Sequence, residues 1–263
     1  MSEPIHIISL GAGVQSYAMF EMAEAGIITP KPVAAAFANT DWELPETMEL
    51  VKRLQKTSSI PIYILGKKSL RDIAMSCSKT KWWPGIPVYS ENDKGKEGKL
   101  RRKCTTSFKV ALLEQFSKDL MGSMNAPSVI QWKGLTTDEI YRLKPSKKAW
   151  YSIRWPLCEL GMNREQCKQW LISHELAVPS RSACIGCPYH SDSYWAWLKS
   201  KRPVQWQEAV AFDERIRNGV KGLNHRAFVH RSLKPLSEID FSTEEERGQL
   251  NMFNNECEGM CGV

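Results

Sequence analysis

Cys184-Ile185-Gly186-Cys187-Pro188 is the densest piece of chemistry in this chain. Two thiols two residues apart, on a turn closed by proline, point at one centre, and a metal suits such a pair. Cys104 follows Arg101, Arg102 and Lys103, whose charges favour thiolate over thiol, and it is a third candidate ligand. A fourth position is left for Cys257 or Cys261 near the C-terminus, or for a bound substrate. Iron–sulfur and zinc both accept these donors; Zn2+ would add His190, three residues after Cys187. A CxxC pair without metal is the plainer alternative. Cys77, Cys158 and Cys167 lack partner spacing and read as structural thiols.

A second chemical feature opens the chain. Gly11-Ala12-Gly13-Val14-Gln15-Ser16 lies between the apolar run at 5–10 and the helical stretch that starts with Tyr17. Glycines let backbone amides approach anionic oxygens, and a following helix adds its N-terminal partial charge. By itself this is also how an ordinary tight strand–helix turn is written.

The elements needed to hold these groups are legible around them. Residues 5–10, 33–39 and 60–65 read as buried strands. Helical segments stand between them, the second with Pro45 and acidic residues in its first turn. That β-α-β-α-β order predicts an α/β fold, a twisted and mostly parallel sheet with helices on both faces. Residues 84–102 are polar and aperiodic and read as a loop. Helices are expected over 108–121, 164–174 and 194–201, and a strand over 128–132. A domain at 1–180 would carry the glycine loop, and a smaller cysteine-bearing lobe with its tail would follow at 181–263.

At 263 residues the chain can bury a sizeable core, and no apolar run reaches the roughly 20 residues that cross a bilayer. MSEPIHIISLG lacks the features of an export signal, so a cytoplasmic protein without a membrane partner is expected. Eight cysteines in that setting favour metal, redox chemistry or burial over disulfides. The net charge of +7 is concentrated in KGKEGKLRRK (94–103) and at Lys147 and Lys148. These stretches are either solvated faces or contacts for an anionic partner. Of ten tryptophans, Trp195, Trp197 and Trp206 read as the packing of a helical lobe, and Trp82-Trp83 beside Lys79 and Lys81 is the candidate for stacking on bases. His225 and His230 read as structural polar groups.

Two motifs carry a family resemblance. Ser9-Leu10-Gly11-Ala12-Gly13-Val14-Gln15-Ser16 resembles the PP-loop, written SGGxDS. Phe37-Ala38-Asn39-Thr40-Asp41-Trp42-Glu43-Leu44-Pro45-Glu46-Thr47 resembles the DTGxxFPET segment after the second strand. Both belong to the PAPS-reductase branch of the PP-loop ATP pyrophosphatases, a group with the adenine nucleotide α-hydrolase-like fold, and the resemblance spans about residues 5–190. Gly134-Leu135-Thr136-Thr137-Asp138-Glu139, with Arg142, is similar to the family's GxRxxES-type segment. The resemblance implies that Ser9 to Gly13, Gln15, Ser16, Asn39, Thr40 and Gly134 bind ATP or a sulfonucleotide, with Arg142 acting on it. It departs at Gln15, where the loop has an aspartate, and this puts Mg2+-assisted cleavage of ATP in question.

Cys104 with Cys184 and Cys187 is similar to the 4Fe–4S ligand set of sulfonucleotide reductases, although those have two adjacent cysteines where Cys104 stands alone. The resemblance implies three functions. The first is an enzyme that adenylates DNA or tRNA and incorporates sulfur, with an iron–sulfur cluster. The second is a PAPS or APS reductase whose nucleophile is Cys257, since Glu256-Cys257-Glu258-Gly259 is similar to the ECG tail of those enzymes. The third is a nucleotide-binding component with little catalysis. A cysteine desulfurase or a protein reductant would be the partner. Cys257 is thus either the nucleophile that the resemblance implies or the fourth ligand that the three other thiolates leave to be filled.

Overall fold

The computed structural model describes residues 3–66, 68–91 and 97–242. The expectations placed on Cys257 and Cys261 therefore lie outside the described residues. β1 (Ile5–Ser9), α1 (Val14–Glu24), β2 (Ala34–Ala38), α2 (Pro45–Thr57), β3 (Ile62–Leu65) and α3 (Leu70–Met75) come first, followed by β4 (Tyr89–Glu91) and β5 (Glu97–Lys99). A π-helical turn (Thr106–Val110) then runs into α4 (Ala111–Ser123), ahead of β6 (Val129–Lys133), a 3-10 segment (Thr137–Arg142) and β7 (Tyr151–Arg154). The chain continues through α5 (Pro156–Glu159), α6 (Arg164–Ser173), α7 (Asp192–Lys201), α8 (Pro203–Ile216) and β8 (Ala227–Phe228).

The main sheet has the order β3-β2-β1-β6-β7, and every pairing in it is parallel. β2 (AAAFA) is buried along its whole length, as a strand covered on both faces must be. One face packs on α1, α2 and α6 through Ile8, Trp132, Tyr17, Phe20, Val51 and Leu171. The opposite face carries Ile5, Ile7, Val129 and Tyr151 against Phe116 and Leu120 of α4. The chain leaves β1 towards β2 on one side, while β6 pairs on the other. The ends of β1 and β6 thus make the topological switch point where α/β sheets bind ligands.

α2 begins with Pro45 in its first turn and Glu46 near its N-terminus. α6 begins with a capping box in which Asn163 accepts from the Gln166 amide and Gln166 accepts in return from the Asn163 amide. A second apolar cluster joins Trp42, Leu44, Ile86 and Phe108 to Ile185, Trp195, Trp206 and Phe212. It draws on segments from both sides of residue 180. Trp195 and Trp206 are core residues, as their spacing implied.

The stretch read as a loop at 84–102 contains β4 and β5, which pair antiparallel with each other. β8 then pairs with β4, setting Tyr89 opposite Phe228. Strands of two or three residues are too short to show a period, and one partner lies far along the chain. α8 and β7 were likewise unmarked in the sequence.

Candidate functional site

Leu10 donates its amide to the Ala36 carbonyl at 2.9 Å, so the chain stays in the sheet until the loop begins. Ala12 then turns through a left-handed conformation, φ 56°, normally reserved for glycine. The Ser16 hydroxyl accepts from the Gly11 amide at 3.1 Å and donates to the Gly13 carbonyl at 3.2 Å, which closes the loop on itself. Gly13 is the N-cap of α1 and no side chain caps the helix. Its first-turn amides are those an anion would use. Gly134 ends β6 against that turn: a Cβ there would lie 2.7 Å from the Ser16 Cα and 2.8 Å from its amide nitrogen. Only glycine permits this approach.

Above these ends lies a cavity of about 360 Å³, within the size range of small-molecule sites. Ser9, Leu10, Gly11, Gly13, Gln15 and Ser16 line it, and so do Gly134 and Arg142. Ala12 is buried instead in the core beneath the loop. Asn39 and Thr40 lie outside the cavity wall, where Phe37 and Ala38 of the same segment stand. Asn39 bonds to Asp41, its amide donating at 2.6 Å.

The cavity is strongly basic. Lys109, Lys133, Lys147 and Lys148 line it, joined by Arg142, Arg164 and Arg181, against Glu114 and Glu139 alone among acids. Several of these charges are engaged. Lys148 pairs with Glu114 at 2.5 Å, Lys109 pairs with Glu43 at 3.4 Å, and Arg142 pairs with Glu139. Arg181 lies over the Tyr194 ring, 5.4 Å from its centroid. Gln15, in the position of the loop aspartate, donates to the Glu139 carboxylate at 3.0 Å. Burial pushes the Glu139 carboxyl above its ordinary range, against the pull of Arg142.

Cys104, Cys184 and Cys187 line a second, much smaller cavity of about 30 Å³ together with Thr40, Thr105 and Lys109. The Thr40 hydroxyl and the Cys184 sulfur are 3.4 Å apart, and the Ile185 amide donates to the Trp42 carbonyl at 2.7 Å. A Cβ on Gly186 would meet the Trp42 ring at 2.6 Å, so the CxxC turn is pressed onto the motif segment after β2. His190 is fully buried between Tyr194 and Trp195, with Nε2 2.9 Å from the Cys184 carbonyl, and burial lowers its pKa to about 3. A neutral ring in this place braces the turn. Among the described residues, no three His, Cys, Asp or Glu side chains converge closely enough to hold a metal ion. The thiols share a cavity lining all the same.

The other cysteines are structural in setting. Cys167 is buried in the main core, where its thiol is pushed up to about 12, and the Cys158 thiol donates to the Leu135 carbonyl at 3.3 Å. His230 is buried, 2.8 Å from both Asp192 and Ser232. Trp83 stacks parallel to Phe212, while Trp82 is 53% exposed, so the pair divides between core and surface.

The five-stranded parallel sheet makes this an α/β protein whose cavity sits over the strand ends. Solved structures it resembles include a PAPS reductase and a tRNA thiolase. The first, PAPS reductase from Candida auris in a phosphate complex, is 17% identical, with 66% of this chain and 75% of that one covered at a TM-score of 0.43. The second, U34-tRNA thiolase NcsA from Methanococcus maripaludis with its 4Fe–4S cluster, is 13% identical, with 82% and 73% covered at 0.42. No family model matches the chain. A curated Arabidopsis thaliana protein named mitogen-activated protein kinase kinase 8 is 29% identical over 143 residues, 54% of this chain and 44% of that protein. The chain thus spans less than half the length of that relative, and it has neither the H-R-D nor the D-F-G triplet of protein kinases. No helix among the described residues is long and apolar enough to cross a membrane.

Proposed function

We propose that this chain is a PP-loop enzyme of the PAPS-reductase-like branch that binds ATP in the basic cavity, adenylates a polynucleotide and directs sulfur to the activated position. One observation carries the reading. The basic cavity at the switch point and the cavity lined by Cys104, Cys184 and Cys187 share Thr105 and Lys109 as a common wall. A nucleotide site and a thiol site on two sides of one helical turn are what sulfur transfer to an adenylated substrate requires.

In this reading the amides at the start of α1 and the surrounding cations hold the phosphates. An acceptor oxygen of DNA or tRNA attacks the α-phosphorus, the bond from that phosphorus to the α–β bridging oxygen breaks, and pyrophosphate leaves with its electron pair. Sulfur later displaces AMP from the activated position. The three thiols are soft donors that suit an iron–sulfur cluster, which when bound would supply or hold the sulfur. Magnesium arriving with ATP would meet Glu139, fixed by Gln15 and Arg142. The exposed Trp82 and the cations at Lys99 and Arg102, stacked on Tyr189 at 4.4 Å and 5.5 Å, would receive the polynucleotide.

Anaerobic purification with iron, sulfide and zinc quantified, followed by a pyrophosphate-release assay, tests this. Brown protein should release pyrophosphate from ATP when tRNA or DNA is present. C184S should lose iron and sulfur incorporation yet still release pyrophosphate. Sulfite release from PAPS, with no pyrophosphate from ATP, would replace the reading by a reductase.

A further inference from the structure

Along β6 the sheet face that packs on α4 changes character. Val129 belongs to the apolar layer with Ile5, Ile7 and Tyr151. The next two residues on that face, by the two-residue period of a strand, are Gln131 and Lys133. Gln131 is 1% exposed, its Oε1 accepts from the Tyr151 hydroxyl, and its Nε2 has no hydrogen-bond partner among the described residues. Lys133 is half-buried, lines the cavity, and forms no ion pair among the described residues. Glu114, the cavity acid whose charge acts on it, is engaged by Lys148. Burial pushes the Lys133 pKa down. Gly134, the next residue, abuts the first turn of α1.

An orphaned amide beneath a desolvated ammonium that Glu114 compensates only in part costs the folded state, because neither group recovers what water gave it. A bound oxyanion would complete such a pair. We propose that Lys133, with the Gln131 amide below it, binds a phosphate oxyanion of the nucleotide and is neutralised only when that ligand is in place. This rests on the reading of the cavity as a nucleotide site. It also requires substitution of the lysine to act with opposite signs on the empty and the filled protein, which a residue that merely supports the fold would not do.

The test is thermal unfolding and calorimetric titration of the full chain, as wild type, K133M and, as a second uncharged variant, K133Q, with ATP, inorganic pyrophosphate and adenosine. Without ligand the variants should melt a few degrees higher than wild type. ATP and pyrophosphate should bind roughly 10- to 100-fold more weakly, the value of a hydrogen bond to a charged group, while adenosine binds as before. Both variants melting lower and binding ATP like wild type would overturn the proposal. Adenosine affinity falling in step with ATP would overturn it too, by moving Lys133 to the base or sugar. Wild-type protein that binds none of the three ligands would sink the nucleotide reading itself and this inference with it.

Discussion

Alanine at Gly134 would place a methyl carbon 2.7 Å from the Ser16 Cα and 2.8 Å from the Ser16 nitrogen, both backbone atoms that cannot swing aside. Ordinary contact begins at 3.4 Å, so the end of β6 and the first turn of α1 must separate by 3.4 − 2.7, about 0.7 Å. Overpacking of this kind costs about 1–3 kcal/mol. For a chain of this length that is a fall in Tm of roughly 2–12 °C. The same movement pulls first-turn amides off their ligand. Loss of one or two such hydrogen bonds, about 1 kcal/mol each, weakens ATP binding roughly 5- to 30-fold. Gly13→Ala is the matched control, since its Cβ would sit 3.7 Å from that of Ser182 and the backbone there, at φ −92°, suits any residue. Thermal melts and ATP titrations of both variants decide the matter. G134A behaving as wild type, or G13A losing as much stability as G134A, would refute the packing argument.

His6 accepts a hydrogen bond from the Trp132 indole at 2.8 Å, and burial followed by the Arg154 charge lowers its pKa from 6.5. The folded state therefore binds fewer protons than the unfolded chain in this range, and stability should be level above pH 6.5 and decline below it. Melts of wild type and H6Q across that boundary check this, with the variant expected to be flatter. Trp82→Ala should weaken tRNA or DNA binding by roughly 5- to 100-fold, the worth of one stacked base, and leave ATP affinity unchanged in a filter or calorimetric assay. Removing residues 256–263 should lower iron content and thermal stability together if Cys257 is a ligand. Iron retained while turnover is lost would make Cys257 the nucleophile.

What the sequence disclosed, and what it hid, follows from range. The turn from β1 into α1 is punctuated by glycines, and α2 by Pro45, so both are written locally. The basic cavity is not. Lys109, Arg142, Arg164 and Arg181 stand in four separate segments, and only the order of the sheet gathers them. Lys133 and Gln131 were concealed inside an apolar-looking strand, where alternation aims them at one face. Thr40 sits in the segment that resembles a nucleotide motif, yet its hydroxyl meets Cys184, because the CxxC turn returns from far along the chain to pack on Trp42. Distance along the chain also concealed β8, which completes the small antiparallel sheet.

Thr105 and Lys109 face both cavities from a single helical turn, and that turn runs without a break into α4. Two ligands that lean on one partition have a physical route to each other's affinity. If filling the larger chamber shifts the partition so that the smaller binds its occupant tenfold more tightly, the smaller occupant must tighten the larger chamber tenfold in return. On the proposed reading, such a wall would let the state of the thiols register as affinity for the nucleotide.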